Sequence, residues 1–154
     1  MTLEQPAPIV AGVDGSPSSV VALRYAATLA HALGAPLEVV TAWTSPPLVP
    51  RLAIEWSPDQ EARELLDASI HEAFGDDPPA GITSVVLPGS PARSLIEVSA
   101  RCAMLVLGTR GHGGFVGLLL GSVSAACVAH AHCPVLIVRD EEPETGDVTA
   151  SIDA

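Results

Sequence analysis

Between residues 108 and 122 the chain carries six glycines, at positions 108, 111, 113, 114, 117 and 121, and a serine follows the last of them. Glycine lets backbone amides turn toward a ligand and approach it closely, because no Cβ stands in the way. Gly121-Ser122 at the opening of a helix would add free N–H groups and the positive end of the helix dipole. The chemistry such residues suit is anion binding, with phosphate the obvious anion. A flexible crossover would be built from the same glycines, so their spacing has to discriminate.

Other chemistries fail on residue type or spacing. A dinucleotide fingerprint GxGxxG is missing, since the sixth position from Gly111 is Val116 and the turn Gly12-Val13-Asp14-Gly15 lacks it as well. A Walker A loop and a pyridoxal site each need a lysine, and the chain has none. Ser16, Ser122 and His112 could suggest a nucleophile with its base, but no GxSxG elbow surrounds either serine. Cys127, His130, His132 and Cys133 invite a zinc reading, which would require four side chains from one short stretch to converge tetrahedrally. No catalytic residue and no protein-held metal is therefore assigned. Arg110 inside the glycine stretch could screen phosphate charge, with His112 assisting, or both could be ordinary loop residues. Asp14 could stand near a magnesium ion carried by phosphates, and it could equally close an Asx-type turn of its own loop.

The elements that must position these residues alternate along the chain. Ile9 to Val13 is β-rich, and Ser16-Pro17 offers an N-cap followed by a first-turn proline, with Val20, Leu23, Ala27 and Ala30 on one face up to Gly34. Leu37 to Trp43 reads as a strand, and a proline-rich loop over 44–56 follows. A capping-box-like start at Ser57 opens a second helix, ending at Gly75. Ile82 to Leu87 is the third strand, and Gly89-Ser90-Pro91 restarts a helix as Gly15-Ser16-Pro17 did, with Leu95, Val98 and Cys102 inward. Met104 to Gly108, a helix from Ser122 to about Ala131, and Val135 to Arg139 complete the order βαβαβαβαβ. Strands apolar on both faces and alternating with helices imply an α/β fold, a five-stranded parallel sheet with helices on both sides. The doubly wound order 3-2-1-4-5, or its flavodoxin-like relative, opens a crevice beyond the carboxyl ends of the strands. In the first order the loops after strands one and four flank it.

Composition narrows the partners. The 154 residues suit one domain, and 48% apolar against 16% charged residues is far from the composition of a disordered chain. A net charge of −11 with no basic stripe excludes nucleic acid and anionic membrane surfaces as expected partners. The run Leu118 to Val138 is apolar but includes His130, His132 and Pro134, and it reads as helix, turn and strand. Residues 1–7 are taken as an extension, 8–139 as the domain, and 140–154, with six acidic residues, as a solvated, disordered tail. Three cysteines without a CxxC pair, in a chain whose start does not read as a signal peptide, point to a reducing cytoplasm.

One spacing is complete. Gly108-x2-Gly111-x9-Gly121-Ser122 resembles the G-x2-G-x9-G-[S/T] motif of the ATP-binding branch of the universal stress protein family, and the similarity extends over roughly residues 8 to 139. Leu105 to Gly111, Gly121-Ser122-Val123 and Cys133 to Val138 look like that family's fourth strand, helix start and last strand. The resemblance implies the nucleotide-binding fold related to the adenine nucleotide alpha hydrolases. It implies ATP, with Mg2+ on its phosphates, lying against Gly108, Gly111, Gly121, Ser122 and Val123, with Leu107 alongside. Asp14 would sit near adenine and ribose, and Ala42, where the family often has valine, near adenine. The family often has an acidic residue just before strand four; Arg101 to Met104 offers none. A homodimer through the exposed last strand, Val135, Leu136, Ile137 and Val138, is implied too, and an apolar sheet edge is itself a pairing template. The adenylation signatures SGGxDS and HxGH of related architectures are missing. The expectation is an ATP-binding regulatory module of stress response or adaptation with little turnover. A slow ATP-hydrolysing enzyme and a nucleotide-independent dimeric interaction protein stand as the alternatives.

Overall fold

In the structure, a computed structural model, residues 4–44, 57–109 and 120–139 are described. Nine elements alternate: β1 (Ile9–Gly12), α1 (Pro17–Leu33), β2 (Leu37–Trp43), α2 (Pro58–Phe74), β3 (Thr83–Pro88), α3 (Pro91–Ser99), β4 (Met104–Gly108), α4 (Ser122–His130) and β5 (Val135–Val138). The five strands form one parallel sheet in the order β3-β2-β1-β4-β5. This is the doubly wound fold expected from the strand and helix pattern.

Strand residues alternate between two cores, as the two-residue period of a pleated strand requires. Ile9, Ala11, Val39, Val106 and Val138 face α1 and α2, where Ala22, Leu23, Ala26 and Leu66 complete one cluster. Val10, Val40, Leu105 and Leu107 face the other way, onto Leu95, Val98 and Cys127 of α3 and α4. The chain fills one face with α1 and α2, crosses to the other with α3 on its way back to the middle of the sheet at β4, and adds α4 there. β1 therefore has β2 on one side and β4 on the other, with Ile9 opposite both Leu37 and Met104. The connections from β1 and β4 leave in opposite directions, and a crevice opens between them at the carboxyl ends of the strands.

The helix boundaries follow local chemistry. Ser16 caps α1, its hydroxyl accepting from Ser19 N–H at 3.2 Å, and Gly34 ends the helix in the left-handed region at φ +62°. The expected likeness of the third helix start to the first holds only in part. Ser90 stands at the N-cap of α3 in extended backbone but makes no side-chain cap. The capping-box-like start of α2 is also different: the Ser57 hydroxyl donates to the Asp59 carboxylate instead of capping a backbone N–H. β3 begins one residue later than expected, Cys102 lies in the turn beyond α3, and β5 stops one residue short of Arg139.

Candidate functional site

The first wall of the crevice is the turn after β1, where the Asp14 and Ser16 side chains have partners within the turn. Val13 N–H continues the ladder to Val40 C=O at 2.9 Å. Gly15 takes φ +82°, a conformation that side chains with a Cβ rarely adopt. Asp14 Oδ1 accepts from Ser16 N–H at 2.9 Å and from the Ser16 hydroxyl. The Ser19 hydroxyl accepts from Asp14 N–H at 3.3 Å and donates to Ser16 C=O at 2.9 Å. Asp14 thus closes an Asx turn, the local role weighed for it, and sits half-buried at the mouth of the crevice.

The second wall is the exit of β4. Gly121 N–H donates to Thr109 C=O at 2.7 Å, which ties the two ends of the glycine stretch together. Thr109 N–H in turn donates to Ser18 Oγ of α1 at 3.0 Å, and the Ser124 hydroxyl donates to Gly108 C=O at 2.8 Å. Gly121 is the N-cap of α4, and its C=O accepts the first helical bond from Ala125 at 2.9 Å. Among the described residues nothing accepts from the N–H groups of Ser122, Val123 and Ser124. Three amides and the positive end of a helix dipole are left open there, which is the chemistry of an anion site.

The individual residues divide into groups. Asp14, Gly108, Gly121, Ser122 and Val123 are brought to the two walls, Ser122 exposed and Val123 half-buried against the α3–α4 core. Ala42 stands near the end of β2, one strand from β1 and opposite Leu87. Leu107 points into the core, so only its backbone faces the crevice side of β4. Arg110, Gly111 and His112 lie outside the described residues, as do 45–56 and the acidic tail.

Gly108 has a packing reason of its own. A Cβ there would lie 2.8 Å from the backbone carbon and oxygen of Ser18, so α1 can approach β4 only over a glycine. Gly12 does the same for a side chain, since a Cβ would come within 2.6 Å of Leu107 Cδ2. Sequence reasoning had not singled out Gly12, Ser18 or Ser124 as positioning residues. The run Ser16-Pro17-Ser18-Ser19 and the serine two residues past the α4 start were the available signals.

Burial pushes the Cys102 thiol up to about 12 and the Cys127 thiol up to about 11. Glu38, hydrogen-bonded to Arg101, holds its guanidinium above the ordinary range.

The sequence pattern of the universal stress protein family matches residues 7–139. The chain belongs to that family. Its sequence is 33% identical over 160 aligned residues to the universal stress protein Rv2623 of Mycobacterium tuberculosis, covering 94% of this chain and 53% of that protein. The chain thus spans about half the length of the curated relatives it matches. Among solved structures, a universal stress protein in complex with cAMP is 28% identical with a TM-score of 0.57, over 86% of this chain and 96% of that one. The universal stress protein of Archaeoglobus fulgidus in complex with dAMP has a TM-score of 0.60 at 23% identity, over 88% of this chain and 98% of that one, a likeness of fold. No helix among the described residues is long and apolar enough to cross a membrane.

Proposed function

We propose that the chain binds ATP in the crevice between the β1 and β4 exits and works as a nucleotide-responsive regulatory module in stress response or adaptation, with little turnover. The observation that carries this reading is the α4 start, where the amides of Ser122, Val123 and Ser124 have no acceptor among the described residues, at the end of the G-x2-G-x9-G-S spacing. Those donors suit the phosphates, the Ser122 hydroxyl adding one more. Gly108 and Gly111 belong to the same cradle, and Arg110 supplies positive charge to an otherwise acidic chain. Asp14 and the Ala42 backbone take the ribose and adenine side, and Leu107 supports the floor. The cAMP complex of a 28% identical relative supports an adenine nucleotide as the ligand class.

ATP brings its own Mg2+, which the phosphates hold, and Asp14 lies on the side where a hydrated cation would be favoured. The crevice residues bind and orient; among the described ones none is placed to take a proton from an attacking water, which supports binding that outlasts chemistry. A second copy of the chain pairs along β5, which lies at the end of the sheet with Val135, Leu136 and Ile137 half-buried. The three free thiols suit a reducing cytoplasm.

Calorimetry with ATP, AMP and cyclic AMP tests the ligand. ATP binding tightest supports the reading, because only the longer phosphate chain rewards the α4 amides; AMP binding as tightly as ATP overturns it. Turnover below ~1 s⁻¹ is expected. Light scattering at micromolar concentration should report a dimer, and a monomer there contradicts pairing through β5.

A further inference from the structure

At the other end of the sheet from the crevice, two thiols lie side by side. Cys102 precedes β4 and Cys133 precedes β5, and their sulfurs are 3.5 Å apart. The two strands are parallel neighbours with Leu105 opposite Val135, so both cysteines stand at the same level of the sheet. Their backbones are pinned by bonds that do not involve the thiols. Ala103 N–H donates to Pro8 C=O at 2.9 Å and Leu105 N–H to Pro134 C=O at 3.0 Å. His132 N–H donates to Ser99 Oγ at 2.9 Å. The frame that holds the sulfurs together is thus independent of any bond between them, and each thiol sees the other at high effective concentration.

We propose that Cys102 and Cys133 form a reversible redox site, closed to an intramolecular disulfide by a two-electron oxidant of the hydroperoxide class. Both are free thiols, Cys102 buried and Cys133 half-buried. The Cys133 thiolate is reached first and attacks the peroxide O–O bond, giving a sulfenic acid and, after protonation of the leaving hydroxide, water. The Cys102 sulfur then attacks Cys133 Sγ, the S–O bond breaks, and the thiol proton leaves with the hydroxide as a second water. Two thiols are oxidised by two electrons and one peroxide is reduced to two waters. The sulfurs have to close from 3.5 Å to about 2 Å, within the reach of small side-chain rotations. Burial holds Cys102 mainly as the thiol and away from the peroxide, which leaves Cys133 as the site of first attack; Cys102 gives up its proton as it attacks the sulfenic sulfur. Cys127 is fully buried on α4 and stays reduced. The closed ring would run from 102 to 133 and enclose β4 and α4, both of which flank the crevice.

Hydrogen peroxide applied to the folded full-length chain should remove two hydrogens from the intact mass, and dithiothreitol should restore them. Trypsin without reductant should then release the peptide 102–110 linked to 111–139, with fragmentation placing the bond at Cys133. The rate should not change with protein concentration. Cys133→Ser, conservative at a half-exposed site, should lose the link, while Cys127→Ala should keep it. Oxygen addition at Cys133 with Cys102 still alkylatable, a bond at Cys127, or links between chains whose rate rises with concentration would each overturn the proposal.

Discussion

Two helix starts flank the crevice, and they are built to opposite ends. At α1, Pro17 has no N–H to offer, Ser19 N–H is taken by the Ser16 hydroxyl, and the Asp14 carboxylate sits over the turn. At α4 the cap is a glycine without a side chain, and the amides of Ser122, Val123 and Ser124 have no acceptor among the described residues. The same strand–turn–helix unit is closed on itself in one place and open in the other. A carboxylate at the first start repels phosphate, while the second presents the backbone amides of Ser122, Val123 and Ser124. In the proposed binding mode the phosphates go to α4 and the sugar and base to the β1 side.

The largest effect that bears on this contrast is structural. Gly108→Ala drives a Cβ toward the Ser18 backbone, at 2.8 Å, and should lower the free energy of unfolding by about 3 kcal/mol, read by urea titration. A stability within error of the parent would mean that α1 does not need a glycine beneath it. Next is the open start itself. Ser122→Ala should weaken ATP about tenfold, or ~1.4 kcal/mol, while thermal unfolding stays unchanged because the side chain is exposed. The closed start should do the reverse: Ser16→Ala loses a cap, costs about 1 kcal/mol of stability, and leaves ATP affinity within about threefold. Loss of ATP binding in the Ser16 variant and none in the Ser122 variant would invert the assignment.

The smallest effect asks whether α4 is anchored by its buried face. Burial raises the Cys127 thiol from 9.0 to about 11, so the unfolded chain gives up this proton before the folded one does. The stability it contributes is complete well below pH 9, starts to fall as pH approaches 9, and is lost as pH rises toward about 11. Between pH 8 and 9 this thiol therefore begins to lower the stability of the folded chain. Cys127→Ala should flatten that part of the pH profile; an unchanged slope would show that Cys127 stays out of the α4 core.

Much of this contrast was legible in the sequence, because it is local. Ser16-Pro17 and Gly121-Ser122 announce their helices through cap chemistry within a few residues, and the alternating apolar runs imply a parallel sheet. The topology follows once the connection after β3 crosses to the other face and brings β4 next to β1. The glycine spacing marked the wall at Gly121 and Ser122. What escaped was contact between distant parts of the chain. Ser18 meets Thr109 across 91 positions, and Gly108 is small because α1 lies on it, so neither shows in a local pattern. Ser57 and Ser90 sit at helix starts as expected but make no side-chain cap, since residue type alone does not decide whether a hydroxyl oxygen meets a backbone N–H.

The central claim, that nucleotide is held at the α4 start, is tested most directly by calorimetry of ATP binding to Gly121→Val beside the parent, with circular dichroism to establish the fold. Gly121 has φ −67° and ψ 165°, an extended backbone that valine adopts readily, so the variant should fold. Its branched side chain stands where the phosphates approach the Ser122–Ser124 amides, and ATP binding should fall below detection. A folded Gly121→Val chain that binds ATP as tightly as the parent would contradict the assignment and leave the glycines as a crossover.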